Sequence, residues 1–204
     1  MLFIDHLTDE QNRNFHSAMQ ISAAFVDDPT RLNGVAQYSL ILFDGLKKLH
    51  EYGQVQRFWL LMAAILHDIG RIEGHEDHHK SSLNFILNNS LIDLSNKERL
   101  IIGSIARYHR KSLPSLEHDH FAVLEKDEQI MVIKLASLLR LADGLEHLGD
   151  QKIRHLGVNY KKNKLILNCK TISDHSLYAT TLPKSDLFEL VFKLPVEIKW
   201  CSLL

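Results

Sequence analysis

Two cysteines, four prolines and nine glycines are all that 204 residues contain of the types that staple, kink or loosen a chain. Cys169 and Cys201 stand too far apart for a zinc knuckle or a redox pair, which argues against a disulfide scaffold and fits a reducing cytosol. So little Gly and Pro excludes collagen-like and low-complexity architectures. Neither charge sign dominates: 24 Lys and Arg oppose 25 Asp and Glu, for a formal net charge of −1. A general polyanion-coating role therefore has no support, and no helix pattern carries a basic face with interleaved aromatics, so nucleic-acid binding is not expected. Long apolar runs are missing too. The longest, Phe58 to Leu66, is half of the roughly 18 residues a membrane span needs, so no membrane role is expected. The opening MLFIDHLTDEQ lacks a basic stretch; no signal peptide is expected, and the cytoplasm is the default location.

Apolar residues, at 45%, are plentiful enough to bury a continuous core without a structural metal. Histidine is the other excess. There are 13, and seven of them (His67, His75, His78, His79, His109, His118 and His120) lie between positions 67 and 120.

Hydrophobic spacing organises the first 150 residues into helices. Residues 9–26 alternate at helical period behind a Thr8/Gln11 capping box, and Asp28-Pro29 reads as N-cap and first helical residue. Leu32, Val35, Ala36, Leu40, Phe43, Leu46 and Leu49 form one apolar stripe. Residues 54–69 are apolar all round, which predicts a helix buried in a bundle and ending at Gly70. A Ser95/Glu98 capping box opens a helix to about Tyr108, and a long helix spans roughly 126–147. The pattern then changes. Ile153–Tyr160 and Lys164–Lys170 read as a hairpin, Ser185–Phe192 as a helix and Val196–Leu203 as a last strand, with both cysteines buried on strands. The expectation is a mainly α protein, a helical domain over 1–150 carrying a small α+β tail over 151–204. Because a hairpin of that length is marginal alone, the tail is expected to pack on the bundle or pair across a homodimer.

The dipeptide His67-Asp68 falls at the end of the most buried helix. A carboxylate there is costly unless paired or bound to a cation. Read alone, His67 satisfies a carbonyl and Asp68 pairs with Arg71. Read with His78, His79, His109 and Asp143, the same dipeptide supplies imidazole and carboxylate ligands that suit a divalent metal between helices. Asp143 alone pairs with Arg140 three residues before it. Arg107, Arg110, Lys111, Lys134 and Arg140 flank these groups. They either neutralise phosphoryl oxygens or simply favour helix C-termini.

Taken in order, LHDIG (66–70), HHK (78–80), ARYHRK (106–111) and KLASLLRLADGLE (134–146) resemble the C-terminal helical domain of the exopolyphosphatase/guanosine-pentaphosphate phosphatase family. That domain belongs to the HD superfamily of metal-dependent phosphohydrolases. The resemblance runs from about residue 28, through LFDGL (42–46), to KSDLFE (184–189). It implies an HD-type helical bundle in which His67 and Asp68 are the metal pair and Asp143 closes the site. His79, with His78 as its neighbour alternative, and His109 would hold a second ion. Catalytic roles fall to Asp68, His109 and Arg140, and phosphate binding to Arg31, Arg107, Arg110 and Lys111. The cofactor would be Mn, Mg, Fe, Ni or Zn, with two, one or no ions per chain. The actin-like ATPase domains that carry polyphosphate hydrolysis in the full-length enzymes have no counterpart among these residues, so that activity does not transfer directly.

Two positions depart from the pattern. Arg31 stands where the superfamily has its first metal histidine, and Ser81 replaces the last histidine of HHKHS. Arg31 cannot ligate a metal; it either leaves a weaker site or projects inward and holds an anion. The expected activity is metal-dependent hydrolysis of a phosphate ester or anhydride, nucleotide-like, on a small phosphorylated ligand. The alternative is a non-catalytic regulatory, ligand-binding or dimerisation module. A di-iron redox enzyme is a third class that no residue selects.

Overall fold

The computed structural model describes residues 6–25, 29–74, 76–149, 153–161, 163–171 and 184–202. Its helices start where the capping residues stand. Thr8 and Gln11 exchange hydrogen bonds at 3.2 and 3.1 Å to open α1 (Asp9–Phe25). The Ser95/Glu98 box opens α6 (Asn96–Arg107) in the same way. Asp28 lies outside the described residues, so its capping role is not seen. The apolar stripe from Leu32 to Leu49 is split: α2 (Pro29–Gly45) ends before Leu46, and a single turn, α3 (Lys47–His50), follows. Glu51, at φ 62°, takes a left-handed turn that no helix continues through.

Helix α4 (Gln54–Leu66) is the centre of the bundle, packed by α1, α2, α6 and α8 (Lys126–Gly149). Every residue from Leu60 to Leu66 is inaccessible, as the all-round apolar pattern requires. It stops three residues earlier than the spacing predicts. His67 and Asp68 sit in the break between α4 and a 3-10 turn over Ile69–Glu73, ahead of α5 (His78–Asn88). A four-residue helix, α7 (Asp119–Ala122), separates α6 from α8.

The tail forms a three-stranded sheet. β1 (Ile153–Lys161) and β2 (Lys164–Thr171) pair antiparallel about a turn in which Asn163 has φ 58°. The chain then passes through α9 (Asp186–Phe192) and returns as β3 (Val196–Ser202), parallel to β2. Leu165, Leu167, Cys169 and Thr171 alternate inward along β2 and join the common core. Cys169 is buried as expected, whereas Cys201, near the end of β3, is exposed. The sheet is tied to the bundle at α2, where Tyr38 Oη donates to the Ile153 carbonyl at 3.2 Å. A Cβ on Gly45 would lie 2.8 Å from Val158 Cβ, so only glycine permits that approach. The protein is thus mainly α with a small C-terminal α+β appendage, and none of its described helices is long and apolar enough to cross a membrane.

Candidate metal centre

Breaking α4 before His67 leaves backbone carbonyls that the helix does not satisfy. Ser22 Oγ donates to the Ile65 carbonyl at 2.9 Å, and Ser82 Oγ to the His67 carbonyl at 2.7 Å. Ser82 also accepts from Gly70 N at 2.9 Å, which pins the 3-10 turn to α5. A Cβ on Gly70 would fall 2.3 Å from the His78 carbonyl oxygen and 2.5 Å from Ser82 N. Gly70 therefore sets the distance between the His67-Asp68 break and the first turn of α5.

Two imidazoles are oriented identically. His67 Nδ1 lies 2.7 Å from the Ala64 carbonyl, and His109 Nδ1 lies 2.7 Å from the Ala106 carbonyl. A carbonyl only accepts, so each Nδ1 carries the proton and each Nε2 presents a lone pair. The ligand atoms of His67, Asp68 and His109 all lie within 4.8 Å of one another, and all three residues are buried. His67 Nε2 is buried and receives no hydrogen bond. His78 completes the group, its Nε2 3.0 Å from Asp68 Oδ1 and 3.3 Å from His109 Nε2. Arg110 Nη1 lies 3.3 Å from His78 Nδ1 and donates there, leaving the His78 proton on Nε2 between two acceptors.

The other side of Asp68 faces cations. Arg31 reaches inward from α2 and bridges the two carboxylates, Nη1 to Asp68 Oδ2 and Nη2 to Asp143 Oδ1, each at 2.5 Å. Arg71 Nε adds a contact to Asp68 Oδ2 at 2.9 Å, and Lys184, from the tail, pairs with Asp143. Burial alone pushes both carboxyls up. For Asp68 it is outweighed by His67, the hydrogen bond from His78, His109 and Arg31, which hold it well below the usual range. For Asp143 it is outweighed by His109, His67 and Lys184, and the carboxyl titrates at about 2. Burial lowers Arg31, but Asp143 and Asp68 more than compensate. Burial and then His67 hold His109 neutral far below its ordinary value. Close to Arg31, α2 runs against α8: a Cβ on Gly34 would lie 2.4 Å from Glu146 Oε2.

The remaining candidates divide. His78, rather than His79, is the member of the pair that reaches Asp68; burial and then Arg107 lower His79 to about 4. Arg110 lies at the centre through His78, while Lys111 Nζ donates to the Glu76 carbonyl at 2.7 Å. Arg140 does not pair with Asp143. Its Nη2 is bound to Asp186 Oδ2 at 2.7 Å, because the start of α9 folds over that end of α8. Arg107 is 4% exposed and lies with its Cζ 5.8 Å from the Tyr108 ring centre, with no carboxylate ion-paired to it among the described residues.

Ser82 and Lys184 were not singled out by the sequence reading for these contacts, whereas the Asp68–Arg71 pair was. Ser82 had one signal, since it immediately follows the altered position in HHKSS. Lys184 had none, because nothing local shows that the tail returns to Asp143.

The arrangement combines an imidazole–carboxylate cluster of metal-ligand type, an internal guanidinium and a rim of further cations. The family model described as Ppx/GppA phosphatase, domain III, matches residues 15–189, and the chain belongs to that family.

Proposed function

We propose that this chain is a metal-dependent phosphohydrolase of the HD type that holds one divalent cation and acts on a phosphate ester or anhydride, nucleotide-like in class. The observation that supports it most is the buried Nε2 of His67, a lone pair with no proton donor, facing the ligand atoms of His109 and Asp68. A buried acceptor left unsatisfied is costly, and a cation removes that cost. Two imidazoles and a carboxylate suit Mn, Fe, Ni or Zn. His67, Asp68 and His109 would hold the ion. An ion held there would supply Lewis-acid chemistry, polarising a phosphoryl oxygen and lowering the pKa of water.

The chain's own residues supply the rest. Arg31 fixes Asp68 and Asp143 against each other and places a permanent positive charge where the first metal histidine would have directed an ion. His78 holds a proton at Nε2 between Asp68 and His109, within reach of acid–base work. Arg110, beside His78, neutralises phosphoryl oxygens during transfer, and Arg140 with Lys111 flanks the approach.

One observation favours the non-catalytic alternative. Asp68 and Asp143 are already paired with Arg31, Arg71 and Lys184, which leaves little uncompensated negative charge to attract a dication.

Metal analysis by mass spectrometry on protein purified without chelators, together with phosphate release from a nucleotide panel, separates the two. About one transition-metal ion per chain, lost in His67→Ala with turnover, is the expected result. Metal-free, inactive protein with undisturbed folding would leave the binding module.

A further inference from the structure

Beyond the centre, three more buried polar atoms have no hydrogen-bond partner: Arg107 Nη1, His79 Nδ1 and His120 Nε2. Arg107 closes α6, yet its side chain is withdrawn from water rather than snorkelling outward, as a terminal arginine ordinarily does. Tyr108, whose ring centre is 5.8 Å from Arg107 Cζ, stands 5.6 Å from the rings of both His118 and His120. Tyr108 Oη is 2.8 Å from His118 Nδ1, so that imidazole is engaged while His120 Nε2 is not. Arg107 makes the largest electrostatic contribution to both His79 and His120. The carboxylates that act on this group are Asp77 and Asp119. Asp77 is an exposed carboxylate already shared by Lys80 at 3.0 Å and Lys111 at 4.0 Å.

A guanidinium buried without a paired anion is expensive, and a neutral imidazole carries one N–H that either tautomer can direct to an acceptor. Water satisfies single donors, but it does not balance the charge. An oxyanion does both, since its several oxygens can accept from the guanidinium and the imidazoles together. We propose that Arg107, His79 and His120 form an oxyanion site of phosphate type, distinct from the His67–Asp68–His109 cluster. The site does not depend on the metal reading.

The test is titration of EDTA-treated protein with inorganic phosphate at constant ionic strength, followed by calorimetry. Saturable binding is expected, weakened roughly ten- to a hundred-fold in Arg107→Gln, the loss of one charged hydrogen-bond donor. His120→Asn weakens it by a smaller factor. Should Arg107→Gln fail to fold by circular dichroism, His120→Asn and the imidazole NMR resonances of His120 carry the test, the resonances shifting on phosphate addition in the wild type. Absence of saturable binding overturns the site. So does undiminished affinity in the folded variants, or affinity that falls in Arg110→Gln but not in Arg107→Gln, which would put the anion beside His78.

Discussion

The two sides of Asp68 make different sites from one carboxylate. Its Oδ2 faces two guanidinium groups, Arg31 at 2.5 Å and Arg71 at 2.9 Å, with His67 Nε2 at 3.4 Å and with Asp143 held opposite by the same Arg31. Its Oδ1 faces imidazoles, with His78 at 3.0 Å and His109 at 3.7 Å. The first side is internally compensated and closed by protein charge. The second is bridged by His78, whose Nε2 proton lies between Asp68 Oδ1 and His109 Nε2; the lone pair that no protein donor meets is that of His67 Nε2. Arg31 closes the Oδ2 side with protein charge and leaves the imidazoles of His78 and His109 on Oδ1.

The largest effect should come from emptying the cationic half. Arg31→Met leaves Asp68 and Asp143 buried beside each other with only Arg71 and Lys184 for compensation. Removing one partner of a buried pair costs about 3–5 kcal/mol, and the two remaining cations place this case at the lower end. Denaturant unfolding measures it. In Arg31→His, Mn²⁺ or Zn²⁺ should recover part of the lost stability, read as a metal-dependent rise in Tm reversed by EDTA. A histidine variant indifferent to metal would mean that the halves differ by more than one side chain.

Gly70→Ala attacks the spacing between the halves. The new methyl meets backbone of α5 on two sides, so α5 must move and carry His78 off Asp68. Overpacking of this kind costs about 1–3 kcal/mol. Unfolding midpoints give the stability loss, and metal affinity should fall with it. A stable variant of normal affinity would show that His78 is not positioned by this contact.

Acid should dismantle the halves in sequence. His109 lies well below its ordinary 6.5, and His79 and His120 titrate at about 4, chiefly through burial. The unfolded chain therefore binds more protons than the folded one below pH 6.5, and stability falls as pH drops from there towards 4. Asp68 and Asp143 are depressed below 3.8, Asp143 to about 2. Their contribution is present above 3.8 and is lost only as pH falls through the lower range. Unfolding free energy measured across pH 7.5 to 2.5 should decline in two stages, and His120→Asn should flatten the first. A single decline confined below pH 4 would contradict the neutral, buried imidazoles.

Periodicity and capping made most helices legible, since α1 and α6 begin at side chains that satisfy their own first turns. The break before His67 was not legible: apolar residues continue to Ile69, and only the tertiary contacts of Ser22 and Ser82 show where the backbone is satisfied instead. At the centre, the plainer sequence reading of His67-Asp68 holds, and it does not use every atom of the pair. His67 does satisfy a carbonyl, through Nδ1, and that bond turns Nε2 inward. Asp68 does pair with Arg71, through Oδ2, which leaves Oδ1 to the imidazoles. Arg31 was visible as a departure, but its bridge to two carboxylates on separate elements depends on the close approach of α2 to α8 at Gly34. The partners of Arg140 and Asp143 in the tail, Asp186 and Lys184, follow from a long-range return that no local pattern encodes.

The smallest expected effect serves as the reference for the others. Ser95 caps α6 through Glu98 N at 3.3 Å and shares its hydroxyl with the Glu98 carboxylate at 2.8 Å, both exposed to solvent. Ser95→Ala removes that cap and should cost about 1 kcal/mol. Helix α6 carries Arg107 and leads directly into His109 at its far end, eleven or more residues away, so fraying at its start should not reach either half of the centre. The variant should unfold at lower denaturant with an unchanged slope, keep the two-stage acid profile and bind metal and phosphate as the wild type does. If losing this cap weakens either ligand, α6 transmits strain along its length, and the separation of the halves is then a property of the whole helix rather than of the atoms around Asp68.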